Sequence, residues 1–272
     1  MSLPLSYALM AGLVAALVLI LTWGARFSSK DVAGIPAVRL NAADWMLLGF
    51  MVSLAILSAI CVSRELPKYY PADSAQVVFL PTLLIQTLFI LVAVLFKKFA
   101  DAKFRYCVVI DAKTLGMALK FFALAISCVL LCGILINLFS LTFFGEIPES
   151  QDIIEVFIGI DSFSVKILAV ISIGILAPIS EEIVFRGLVY RTLKGIAFFR
   201  GILNAVFAAS VSSLLFSAIH ANAFVFLPLF IMGMILAASY EKSGSIVVPM
   251  LVHSLFNFSN IFLLSLNESV CR

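Results

Sequence analysis

Residues 75–96 read AQVVFLPTLLIQTLFILVAVLF, 22 residues without one charge. A hydrocarbon slab about 30 Å thick is crossed by roughly 20 helical residues rising ~1.5 Å each, so this stretch is long enough to span a membrane. Similar apolar runs cover residues 5–23 and 45–62 before it, and 115–143, 163–190, 202–219, 224–240 and 246–266 after it. The pattern predicts an all-α, polytopic transmembrane helix bundle of about eight spans. The run 163–190 is longer than a bilayer needs, so part of it should emerge or break. The runs 202–219 and 224–240 lie so close together that their shared turn must be tight.

Composition points the same way. The 272 residues are 63% hydrophobic and 12% charged, whereas soluble proteins average about 45–50% and about 25%. That balance excludes a water-soluble globule, and no nucleic acid is expected as a partner. The net charge of +3 is distributed unevenly. With the N-terminus outside, thirteen Lys and Arg fall in alternate, inner connections, and only Arg64, Lys68 and Arg272 fall outside. Residues 144–161 carry five acidic and no basic residues. The positive-inside rule then places both termini outside, in an integral protein of the cell's inner membrane. The first apolar run lacks a basic flank and a small-residue cleavage site, so it reads as a span rather than a cleaved signal. The five cysteines show no CxxC spacing and read as small packing residues. The basic connection 97–113 reads as a topogenic loop; anionic lipid headgroups are the rarer alternative.

Polar residues at membrane depth concentrate after residue 160. Three patterns stand out: Glu181-Glu182-Ile183-Val184-Phe185-Arg186, Phe216-Ser217-Ala218-Ile219-His220, and His253-Ser254-Leu255-Phe256-Asn257. A charge near the bilayer centre costs from about 2.5 to more than 10 kcal/mol, which is seldom met without a function. Adjacent helical residues point ~100° apart, so Glu181 and Glu182 cannot both face one spot. Glu182 and Arg186 have ion-pair spacing, which leaves Glu181 to face a cavity. Pro178 should kink or break the helix just before them. Phe216 sits one turn below His220 and should pack on its ring; His253 and Asn257 share one face. Each element alone has a plainer reading: a hydrogen-bonded structural histidine, a proton-coupled transport carboxylate, a helix–helix clamp. Together they hold both histidines of the chain and its densest carboxylate pair at membrane depth, which favours a hydrolytic site. A proton-coupled transporter and a non-catalytic immunity or scaffold protein are the alternatives.

In that order, EExxxR, FxxxH and HxxxN make the chain resemble the CPBP family, which includes type II CAAX prenyl endopeptidases and bacteriocin-processing and self-immunity relatives. The likeness covers roughly residues 163–266, so a protease core at 160–268 would follow a variable membrane region at 1–145. The resemblance implies an intramembrane endopeptidase with a conical active-site cavity in the C-terminal half, nearer the cytoplasmic side. It implies that Glu181 is the base that activates water and that His220 holds the same water. His253 and Asn257 would stabilise the oxyanion, with Glu182, Arg186 and Phe216 supporting. No cofactor is favoured, though a zinc route through Glu181, His220 and His253 stays open. The expected partners are the bilayer and a peptide or protein substrate, lipidated or membrane-anchored forms included.

Overall fold

The computed structural model describes residues 35–71, 74–99, 107–145, 157, 159–160, 162–196, 199 and 201–271. Among them there are helices and no strands: α1 (Ala42–Glu65), α2 (Ala75–Phe99), α3 (Ala112–Phe144), α4 (Phe163–Ile196), α5 (Ile202–Ala218), α6 (Ala223–Ser243) and α7 (Val247–Cys271). Six of these are long and apolar enough to cross a membrane; α5, at 17 residues, falls short of that length. The run at 5–23 lies outside the described residues, so the expected count of eight meets six spans and one shorter apolar helix.

Local chemistry sets the ends. Asn41 and Asp44 form a reciprocal capping box at the start of α1, with bonds of 2.8 and 2.9 Å. Asp111 and Thr114 do the same for α3. The Thr114 N–H holds the Asp111 carboxyl below its usual range. That cap therefore contributes at neutral pH and is lost as acid protonates Asp111. Gly145 and Gly244 close α3 and α6 with φ of 77° and 72°, a left-handed turn that only glycine takes without strain. The link between α5 and α6 is only residues 219–222, as its length predicts.

The most apolar stretches of the candidate spans are 11–17% buried in α1, α2 and α3, but 33% in α4 and 44% in α6. Large apolar side chains such as Phe50, Leu57, Val94, Leu119, Leu135 and Phe143 are exposed. In water such a surface would aggregate; in a bilayer it faces lipid. The chain is an integral membrane protein.

Packing divides the chain into two compact units. One groups Val38–Tyr106, Glu149–Leu188 and His253–Arg272; the other groups Met1–Ala37, Cys107–Pro148 and Val189–Val252. In the first, α1 packs on α2, and α2 packs on the first two-thirds of α4. Val38, Leu48, Ala55, Val92 and Phe96 form one core there, and Phe79, Phe157, Ile160 and Ala169 a second. In the second, α6 packs on both α3 and α5, and α5 packs on Arg191–Ile196 at the end of α4. Here small residues let backbones approach: Ala205, Ala208, Ala209, Ser212 and Ser213 are buried on α5. A Cβ on Gly233 of α6 would lie 2.7 Å from the Ser213 Cβ and 3.1 Å from its Cα. The Ser213 Cα belongs to backbone and cannot rotate away. Gly233→Ala should therefore cost about 1–3 kcal/mol by overpacking. A fall of several degrees in the unfolding temperature of the detergent-solubilised protein would show it; an unchanged temperature would refute the close approach.

Candidate active site

α4 is one continuous helix of 34 residues, yet its register changes twice. Residues Ser172–Leu176 and Ile183–Tyr190 are π-helical, and Ala177–Glu182 between them is α-helical. Of the expected kink or break at Pro178, the break does not occur: the helix runs on through it. A proline lacks the N–H that continues the ladder, and its ring clashes with the carbonyl four residues back. The wider π turn ahead of it lets the helix continue through the proline. The Ala177 N–H reaches the Ser172 carbonyl, five residues back. In the same register the Ile173 carbonyl would look to residue 178, which is proline and has no hydrogen to give. That carbonyl instead accepts from Asn257 Nδ2 at 2.8 Å. Asn257 is therefore a clamp on the π turn in this structure. One hydrogen of its amide is committed there, and an Asn amide carries two.

The α-helical turn after Pro178 presents the two carboxylates. Glu182 is fully buried and accepts from Arg186 Nη1 at 2.9 Å, the i,i+4 pair that the sequence spacing predicts. Glu182 Oε1 also lies 3.0 Å from His253 Nδ1. A carboxylate can only accept from the ring there, so Nδ1 carries a hydrogen and the ring orientation is fixed. The other ring nitrogen, Nε2, stands 3.8 Å from Glu181 Oε2. Glu181 keeps 24% of its side-chain surface open, against none for Glu182. The neighbouring glutamates do point apart, as helix geometry requires, but they converge on opposite nitrogens of one imidazole. That convergence comes from α7 and is invisible in the spacing of EE alone.

Phe216 and His220 belong to the other unit. Phe216 is buried at the end of α5, and its ring meets the His220 ring edge-on at 5.1 Å and 67°, the contact expected from their i,i+4 spacing. His220 lies in the turn that follows and is exposed. Its Nδ1 is 2.8 Å from the Phe216 carbonyl. A carbonyl cannot donate, so Nδ1 holds the hydrogen and Nε2 offers a lone pair. The structure thus brings Glu181, Glu182, Arg186 and His253 together within one unit and seats Asn257 against the same turn. Among the described residues, no group of three His, Cys, Asp or Glu is arranged to hold a metal ion.

Several polar residues escape a motif-based reading. Ser172 Oγ donates to Gln86 Oε1 of α2 at 2.9 Å, and both side chains are buried. The signal was an amide in the middle of a spanning run. In the other unit, Glu241 accepts from Tyr190 and Lys194, and Arg191 donates to the Pro36 carbonyl at 2.9 Å. The unit with the carboxylates also holds a small apolar groove. Val52 of α1, Phe89 of α2 and Ile183, Val184 and Leu188 of α4 help to line it.

Comparison with known proteins places the matched region on this site. Residues 163–259 match the model described as type II CAAX prenyl endopeptidase Rce1-like, and all three motifs fall inside that range. An uncharacterized 24.3 kDa protein of Escherichia coli is 33% identical over 90 residues, 32% of this chain and 40% of that protein. The membrane-embedded CAAX protease MroQ of Staphylococcus aureus is 34% identical over 86 residues, 31% of this chain and 34% of its own. The chain therefore spans about a third to two-fifths of the length of these curated relatives. No solved structure matches it. Through residues 163–259, a little over a third of its length, the chain is similar to the Rce1-like type II CAAX prenyl endopeptidases.

Proposed function

We propose that this protein is an intramembrane endopeptidase whose water is activated by Glu181. The observation that carries the reading is the His253 ring held between two carboxylates of unequal exposure. Glu182 is buried, paired with Arg186 and engaged with Nδ1; Glu181 is partly open and faces Nε2 across 3.8 Å. An oxygen atom can lie about 2.8 Å from both Glu181 and His253 at that separation, which suits a water shared between an acceptor and a ring nitrogen. Glu181 takes a proton from that water as its oxygen bonds to the scissile carbonyl carbon. The carbonyl π electrons move onto oxygen, and the oxyanion is met by the second N–H of Asn257 and by His253 in its imidazolium form, whose Nε2 then carries a hydrogen while Nδ1 stays on Glu182. Collapse of the tetrahedral intermediate breaks the C–N bond, and Glu181 returns its proton to the leaving amine. In its own unit, His220 offers an Nε2 lone pair, the feature its motif role requires. Glu182 and Arg186 fix the His253 ring, as partners of a working histidine do.

The substrate in this reading is a peptide or protein with a lipidated or membrane-anchored segment, and the apolar groove beside Ile183 and Val184 is where such a segment would lie. The protease core spans residues 160–268, after a variable region at 1–145, and its site opens toward the basic, cytoplasmic side of the inner membrane with both termini outside. The mechanism proposed is the metal-free one. Purified protein in liposomes should cleave membrane-anchored peptides, and cleavage should survive a strong chelator. Stoichiometric zinc, with activity lost to chelator and restored by zinc, would replace the metal-free mechanism. Proton or ion flux with no cleavage of any peptide would replace the enzyme with a transporter.

A further inference from the structure

We propose that Gln86 is a positioning residue of this site, holding through Ser172 the π-helical turn from which Glu181 and Glu182 are presented; this rests on the peptidase reading above. The first argument is cost. Gln86 sits in the middle of α2 and is 7% exposed, while Ser172 is fully buried. An amide at membrane depth is expensive unless paired, and the described partner of its Oε1 is the Ser172 hydroxyl, 2.9 Å away.

The second argument is where Ser172 stands. It is the first residue of the π turn, and its carbonyl receives the five-residue bond from Ala177 that defines the turn. A π turn inserts one residue into the helical count, which rotates everything beyond it by about 100° relative to an uninterrupted helix. Glu181 and Glu182 lie beyond it. The direction in which each carboxylate faces, one toward His253 Nε2 and the other toward Nδ1, is therefore set by this turn keeping its place. The turn is gripped from two helices. On the α7 side, Asn257 takes the Ile173 carbonyl, and the Phe258 ring occupies the space of an absent Cβ, 2.5 Å from where Gly174 would carry one. On the α2 side, Gln86 takes the Ser172 hydroxyl. Asn257 belongs to the HxxxN motif. Gln86 lies outside the matched residues 163–259, so the N-terminal half supplies a part that the motifs do not contain.

The test uses the full chain in liposomes with a membrane-anchored peptide. Gln86→Leu and Ser172→Ala should each lower kcat by about 10-fold to 100-fold, the loss expected from misplacing a catalytic group by about 1 Å. KM should stay within about twofold, since neither residue meets the substrate. The double variant should lose no more than either single one, because the two changes cut the same link. Ser172→Thr, which keeps the hydroxyl, should restore most of the rate. A second readout needs no activity. The chain has two histidines, so ¹⁵N-histidine labelling in a His220→Gln background leaves His253 alone. Its ring-nitrogen signals should move in Gln86→Leu and stay in Leu91→Ala, a change on the exposed face of the same helix. Normal kcat with unmoved His253 signals, or additive losses in the double variant, would overturn the proposal. If the unmutated protein cleaves nothing, the peptidase reading falls, and the His253 signals still decide whether Gln86 sets the turn.

Discussion

Glu181→Gln is expected to abolish peptide hydrolysis, by a factor of about 10³, while leaving the helices folded and packed. A positioned general base contributes typically about 10²- to 10⁴-fold, and an amide cannot take a proton from water. The substitution is nearly isosteric, and the position tolerates it. Glu181 retains 24% side-chain exposure, and the buried ion pair of the site is made by its neighbour, so no buried countercharge is stranded. The protein should therefore extract, purify and unfold at the unmutated temperature. The His253 signals should shift only modestly, because Nδ1 stays on Glu182. Glu181→Asp draws the carboxylate back by about one C–C bond, roughly 1.5 Å, and should keep a small fraction of the rate. Cleavage at the normal rate by Glu181→Gln would remove the proposed base. A further use follows from the same variant: peptides that accumulate uncut in cells carrying it are candidate substrates.

How much of this was legible in the sequence depends on what sets each feature. The spans were, because lipid imposes one rule on every residue of a run; helices appear at 45–62, 75–96, 115–143, 163–190, 224–240 and 246–266 within a few residues of the expected bounds. The Glu182–Arg186 pair was legible because it is made within one helix turn. The Phe216–His220 ring contact was legible for the same reason. What could not be read was set between helices or by a change of register. Pro178 announced a disturbance, but whether the helix breaks there or widens into a π turn depends on who satisfies the freed carbonyl. That answer is Asn257, 84 residues away. The joint approach of Glu181 and Glu182 to one ring needed α7 as well. Gln86 carried a faint signal, a lone amide deep in an apolar run, yet nothing in the sequence says that its partner is Ser172.

The buried pair supplies the second large effect, and it separates folding from chemistry. Arg186→Met leaves Glu182 fully buried with its countercharge gone, and breaking a buried pair on one side costs about 3–5 kcal/mol. For a domain whose whole stability is about 5–15 kcal/mol, that is a large fraction, so most of the folded protein should be lost from detergent extracts. Glu182→Leu should be nearly as damaging, since it strands a guanidinium that is 1% exposed. The double change Glu182→Leu with Arg186→Met removes both charges and fills the space with apolar atoms. Such replacements are often neutral or stabilising by about 1–4 kcal/mol, so the unfolding temperature should return to near its starting value. Activity should not return with it. His253 Nδ1 would have lost the acceptor 3.0 Å away that fixes its hydrogen, and the ring facing Glu181 could then adopt either tautomer. A folded, stable and inactive double variant is thus the expected result, with the His253 ring signals displaced from their normal positions. Recovery of both stability and cleavage in that variant would show that the Glu182 contact does not orient His253. A double variant as unstable as the single ones would show that the pair carries structural weight beyond its own two charges.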